Sequence, residues 1–192
     1  MAENLKVTHY RNGDAIPNIT NNGDWGSLST GAYGVYDNTP ANADTYGNLY
    51  NWYTVDDYRN IAPEGWHVPT DEEIKELEME LGMSQAQADA EGWRGTNEGS
   101  KLAGRADLWT NGALENNAEF GTSGFSFLSG GSRYCNNGGY GNMGSRGYLW
   151  SASETDSSGA WYRILDYNIT GIFRLNFFDD KRYGFSVRCV RD

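Results

Sequence analysis

Hydrophobic and polar positions alternate most regularly toward the C-terminal end of the chain. In AWYRILDY, Trp161, Arg163, Leu165 and Tyr167 fall on one face at period two, and Tyr162, Ile164 and Asp166 fall on the other. In IFRLNFFDD, Phe173, Leu175 and Phe177 alternate with Ile172, Arg174, Asn176 and Phe178. Both runs predict strands. A half-buried strand sends apolar groups one way and polar groups the other. Here both faces carry large side chains, and the face expected to meet solvent is aromatic.

Helical spacing replaces this alternation in HVPTDEEIKELEMELGM. Thr70 and Glu73 have the capping-box separation, and Asp71, Glu72 and Glu73 put negative charge in the positive first turn. Ile74, Leu77 and Leu81 then line one face, and Gly82 is placed to end the helix. Ser84 and Gln87 repeat the capping spacing and predict a second, short helix reaching about Glu91. Residues 1–60 predict irregular structure with short strands. RNGDAIPN and NNGDWG carry turn chemistry, and GAYGVYDN reads as a short strand ending in a turn at Asn38–Pro40. YGNLYNWYTVDDY half-alternates, with Tyr50, Trp52 and Thr54 on one face and Asn51, Tyr53 and Val55 on the other. Such an aromatic cluster is core, or, on a sharper reading, a platform for stacking sugars. These elements predict one α+β domain over residues 1–192, with short strands, one or two helices and extensive structured loops.

Composition narrows the picture. Seven Trp, thirteen Tyr and seven Phe predict an aromatic-rich core. The net charge of −11, with no basic stripe, argues against nucleic acid or an anionic membrane as partner, and no apolar stretch approaches membrane-spanning length. Charge divides along the chain. The first 130 residues hold 7 basic and 20 acidic side chains, and the last 62 hold 8 and 6. Residues 131–192 also contain one Lys, one Glu and no Gln, against three, eleven and two before them. What remains in the tail is Arg, Tyr, Phe, Asn, Gly and Ser, a palette enriched in recognition surfaces. An ordinary Gly-rich β region would also use it.

Candidate chemistry is sparse. Cys135 and Cys189, the only cysteines, lie far too wide apart for a zinc pair motif, and nothing in their spacing demands a disulfide, so they are expected to remain thiols. His67 has no second His or Cys nearby in sequence and is expected to be packed and hydrogen-bonded. Carboxylate pairs such as Asp56–Asp57, Glu115–Glu119 and Asp179–Asp180 are read as solvated surface. No nucleophile elbow, phosphate loop, zinc-protease helix or calcium loop is present. No enzyme activity, cofactor or resident metal is expected. Met1 to Tyr10 lacks the pattern of a secretory signal, so either export does not use that route or an upstream segment lies outside this chain.

Taken in order, MAENLK, YGNLYNWY, PEGWHVPTDEE, RGTNEGSKL, ALENNAEFGTSGF, WSASE, AWYR and GFSVRCVRD resemble the Fibrobacter succinogenes major paralogous domain family over nearly the full length. The resemblance implies a C-type-lectin-like fold. Some members are similar to the variable proteins of diversity-generating retroelements, in which adenine-directed mutagenesis rewrites Asn-type codons near the C-terminus. Such codons yield Tyr, Phe, Asp, Ser, Gly, Ile, Leu, Cys or Arg, but never Lys, Glu, Gln, Met or Trp. The shortage in residues 131–192 is what that process leaves. The resemblance makes Trp161, Arg163, Leu165 and Tyr167 the inward scaffold face. It makes a ligand-binding region of Tyr134, Cys135, Tyr140, Arg146, Tyr148, Tyr162, Ile164, Asp166, Phe173, Leu175, Phe177, Phe178, Asp179, Asp180 and Tyr183. The partner it implies is a protein or glycan, with the chain at a cell surface, extracellular or on a phage virion. A carbohydrate-binding module of fixed specificity is the alternative, with calcium on Asp179 and Asp180 as one form of it. The broader fold also hosts formylglycine-generating oxidases, but Cys135 and Cys189 match no motif of theirs. Two departures stand out. The family often carries a Trp and strands before MAENL, and it commonly has Cys where Ala62 stands, so the usual disulfide to the position of Cys189 cannot form here.

Overall fold

The capped helix forms as its sequence predicts in the computed structural model, which describes residues 3–175 and 181–192. Thr70 accepts from the Glu73 amide while the Glu73 carboxylate accepts from Thr70, completing the capping box. In chain order the elements are α1 (Asn22–Gly26), β1 (Tyr33–Gly34), α2 (Pro40–Tyr46), β2 (Leu49–Tyr50), α3 (Trp52–Val55), β3 (Trp66–His67), α4 (Asp71–Glu80), α5 (Gln85–Asp89), β4 (Gly92–Arg94) and α6 (Glu98–Leu102). The remainder is mostly sheet: β5 (Gly130–Arg133), β6 (Tyr140–Met143), β7 (Arg146–Glu154), β8 (Ala160–Asp166), β9 (Ile169–Leu175) and β10 (Val190–Arg191). The fold is α+β, with more short helices than the one or two predicted. No helix among the described residues is long and apolar enough to cross a membrane.

Two early segments depart from expectation. NNGDWG, read as a turn, is α1, capped by the Asn21 side chain and anchored by fully buried Trp25, whose indole N–H donates to the Arg182 carbonyl at 2.8 Å. YGNLYNWYTVDDY does not run on as a strand. It pairs only at Leu49 and Tyr50, then turns into α3, where the Asn51 side chain caps the Thr54 amide. In both places a distant partner for an indole or a local Asn cap outweighs a weak local preference. The second short helix ends at Asp89 rather than near Glu91 and has its own capping box.

The main sheet has six strands in the order β4-β9-β8-β7-β5-β6. Register assigns its faces. Tyr148 pairs with Ile164 and Trp150 with Tyr162 across β7 and β8, while Tyr162 meets Leu175 and Ile164 meets Phe173 across β8 and β9. On the opposite face Arg163 lies beside Leu149 and Arg174. One core cluster gathers Tyr50, Trp52, Tyr148, Trp150, Tyr162, Phe185 and Val187, and the other gathers Leu102, Phe127, Leu149, Leu165 and Ile172. The expected aromatic-rich core is thus present on one side of the sheet.

The helix side holds a surprise. The buried stripe of α4 is Asp71, Ile74, Lys75 and Glu78, at helical spacing but half carboxylate, whereas the predicted apolar positions Leu77 and Leu81 are only half-buried. Strand arginines receive the carboxylates. Arg163 reaches Glu78 at 2.6 Å and Asp71 at 2.7 Å, Arg174 reaches Asp71 at 2.5 Å, and Arg94 reaches Glu78 at 2.7 Å. Trp161 lies under the Arg174 guanidinium at 3.6 Å. Burial alone would raise the Asp71 pKa, but the bonds from Arg174 and Arg163 outweigh it and hold the carboxyl below its ordinary range.

Candidate functional site

On the sheet face away from α4, four stretches of the tail bend around one concavity of about 410 Å³. The β5–β6 hairpin contributes Ser132, Tyr134 and Asn142, β7 contributes Arg146 and Tyr148, and β8 contributes Tyr162 and Ile164. The closing segment lays Tyr183 and Phe185 across the remaining side.

Local chemistry explains each placement. The closing segment nests where Gly184 lies, because a Cβ there would come within 2.9 Å of the Arg133 Cβ and 3.0 Å of the Trp25 ring. Its amide and carbonyl bond both ways with Arg133, at 2.9 Å each. That contact fixes Phe185 in the middle of the floor, stacked on Tyr148 at 4.9 Å and on Tyr183 at 5.3 Å, and packed against Trp150 at 4.4 Å and Tyr162 at 5.2 Å. Gly141 leaves room for the Tyr134 phenol, which occupies the space a Cβ would need. Asn142 adopts a left-handed φ of +68°, and from there its amide donates to the Tyr148 hydroxyl at 2.9 Å. Burial pushes the Tyr148 phenol pKa up, so the group stays neutral. Arg146 stands at the edge, its Nε donating to Asp166 at 2.6 Å, and that carboxylate raises the guanidinium's pKa further.

The tail residues named in the sequence reading therefore separate. Tyr134, Arg146, Tyr148, Tyr162, Ile164 and Tyr183 share the concavity. Within it, Tyr162 and Tyr148 are only 7% and 8% exposed, so they are floor rather than projecting anchors. Leu175 and Phe173 lie farther along the same face, Leu175 against the aromatic cluster and Phe173 against Trp93 at 5.1 Å. Three further residues depart from the expected solvent-facing placement. Cys135 is buried with its carbonyl facing Gly26, away from the concavity. Tyr140 lies outside the concavity, tilted against Tyr36 with ring centroids 5.3 Å apart, under the Arg133 guanidinium, and its hydroxyl donates to Asn38 at 3.0 Å. Asp166 is buried in its ion pair and reaches the site only through Arg146. Phe177, Phe178, Asp179 and Asp180 lie outside the described residues.

Sequence reasoning missed Ser132, Asn142, Phe185 and the neighbouring Trp93. Trp93 is 39% exposed on edge strand β4, outside the tail whose amino-acid usage drew attention. Phe185 sits in GFSVRCVRD, a stretch that carried only the family resemblance, and its packing against Tyr148, Trp150, Tyr162 and Tyr183 brings it to the site. Of the expected inward face, Arg163 and Leu165 are buried while Trp161 and Tyr167 are half-buried, and the opposite face is no more exposed, with Tyr162 and Asp166 buried and Ile164 half-buried. Cys135 and Cys189 are buried as thiols, and burial pushes the Cys189 pKa up to about 12. His67 is hydrogen-bonded on both ring nitrogens, to Asp192 at 2.6 Å and Glu73 at 2.8 Å.

No curated protein and no solved structure matches this chain. A family model does, that of the Fibrobacter succinogenes major domain, and it matches residues 1–191. The chain belongs to the Fibrobacter succinogenes major domain family.

Proposed function

We propose that this chain is a non-enzymatic recognition protein. On this reading a C-type-lectin-like scaffold presents the tail's concavity to a macromolecular ligand, in the manner of the variable proteins of diversity-generating retroelements. The observation that carries the reading is the convergence of nine tail residues, from the hairpin, two strands and the closing segment, on one open concavity. Its floor is braced by buried aromatics, so rim side chains can change without loss of the core. Tyr134 and Tyr183 are the projecting contacts, Arg146 supplies the edge charge, and Tyr162 and Tyr148 form the base. The chain acts at a cell surface, extracellularly or on a phage particle.

The test has two parts. Sequencing the flanking DNA is expected to show a reverse transcriptase and a near-identical repeat of the 3′ coding end differing only at adenines. Screening arrays of cell-surface proteins is expected to yield a binder lost on Tyr134→Ala or Tyr183→Ala, by about 30-fold for a true hot spot. Absence of the repeat together with unchanged binding by both variants removes the proposal. A fixed glycan-binding role is the second reading, favoured by four tyrosine rings around polar Asn142 and Arg146. Glycan arrays run with and without chelator separate it from the first.

A further inference from the structure

On the other side of the sheet, α4 does not close down completely. Beside the Arg163–Glu78–Asp71 network lies a second cavity, of about 270 Å³, between α4 and the inner sheet face. Its walls are almost wholly hydrocarbon: Ile74 and Leu77 from the helix, Leu149, Leu165 and Ile172 from the strands, and Phe125 from the preceding loop. Native interiors contain few voids larger than a water molecule. An apolar cavity of about 150 Å³ in another protein stays dry and takes up benzene. The one here has nearly twice that volume.

The polar groups on its walls are already committed. Arg163 spends its nitrogens on Glu78 and Asp71. The Glu73 carboxylate is held by Thr70 and His67. The Cys189 thiol has its pKa pushed up to about 12 by burial and stays protonated, so it offers no nucleophile. A water placed here would lack the two to four polar partners that buried waters need. Leu77, Phe125 and Val190 are half-exposed and form a mouth, so the cavity can be reached from solvent.

We infer that this cavity is a binding site for a small, uncharged hydrocarbon ligand, about the size of a fused two-ring aromatic, held without hydrogen bonds and separate from the tyrosine-lined concavity. Two observations carry it: the apolar wall and the prior commitment of every charged group on that wall.

Naphthalene and xenon are suitable probes on the full chain. Naphthalene is expected to bind saturably and raise the melting temperature, and crystals under xenon pressure are expected to show xenon between α4 and the sheet. Leu77→Trp, which fills the mouth from a half-exposed helix position, is expected to weaken naphthalene about tenfold or more. The inference is overturned if xenon does not enter this cavity, or if a folded Leu77→Trp binds naphthalene as tightly as the parent. Should Leu77→Trp fail to fold, xenon occupancy in the parent decides the question alone.

Discussion

At the scale of single residues, Phe185 matters most to the site. It is 3% exposed and touches Tyr148, Trp150, Tyr162 and Tyr183, so the concavity's shape depends on one ring. Phe185→Ala is expected to cost about 3–5 kcal/mol in denaturant unfolding, through lost burial and the cavity left behind. His67 is a second informative residue. Its hydrogen bond to Asp192, then that to Glu73, raises its pKa above the ordinary imidazole value. A raised folded-state pKa contributes stability that is fully present below the unfolded value, about 6.5, and is lost as pH rises through the folded one. The cluster is partly exposed, so salt screens it and the effect is small. His67→Gln is expected to flatten the decline in melting temperature over that window. An unchanged pH profile would show that the two bonds carry no linkage.

At the scale of elements, close backbone approach decides the packing of α6. A Cβ on Gly99 would fall 2.2 Å from the Gly171 carbonyl oxygen, so α6 lies directly on β9 only because residue 99 has no side chain. Gly99→Ala must push helix and strand apart. It is expected to destabilise by about 1–3 kcal/mol, measured by thermal unfolding, despite alanine's better helix propensity. The movement would pass along β9, which carries Phe173 and Leu175. The elements most legible in the sequence were those governed by local chemistry. The capping boxes at Thr70 and Ser84 and the alternation in β8 all describe short-range hydrogen bonding or a fixed side-chain period. Helices α1 and α3 were not legible, because five and four residues give too little periodicity to outweigh turn-forming Asn and Gly.

At the scale of the whole molecule, the uneven charge along the chain has a structural cause. Of the basic residues in the tail, Arg133, Arg163, Arg174, Lys181 and Arg188 are buried. Most of their partners lie in the first 130 residues. Arg133 donates to the carbonyls of Ile19 and Asn21, and Arg188 donates to Phe125, Ser126 and Asn4. Arg163 and Arg174 meet the carboxylates of α4. The tail's positive balance is therefore mainly a seam joining it to the rest of the chain, not a cationic face. Arg163→Met is expected to cost about 1–3 kcal/mol, since it removes charge-assisted bonds from two buried carboxylates and leaves Asp71 to Arg174 and Glu78 to Arg94 alone. Acid should weaken the same seam. Asp71 has a depressed folded-state pKa, so its contribution is fully present above about pH 4 and is lost as pH falls through the folded value. Acid titration of melting temperature in the parent and in Arg163→Met checks this, with a shallower acid limb expected in the variant.

The sequence by itself determined what depends on neighbours a few residues apart: the α+β class, the two capped helices and the strand period of the tail. Tertiary structure alone decided which tail residues share a surface. Tyr134 and Cys135 are adjacent in one loop, yet the first lines the concavity and the second is buried beside Gly26. Phe185 became the floor because Gly184 lets the closing segment nest against Arg133 and Trp25, which are far from it in sequence. Such outcomes follow from long-range register and close backbone approach, and side-chain period along a single strand carries no trace of either.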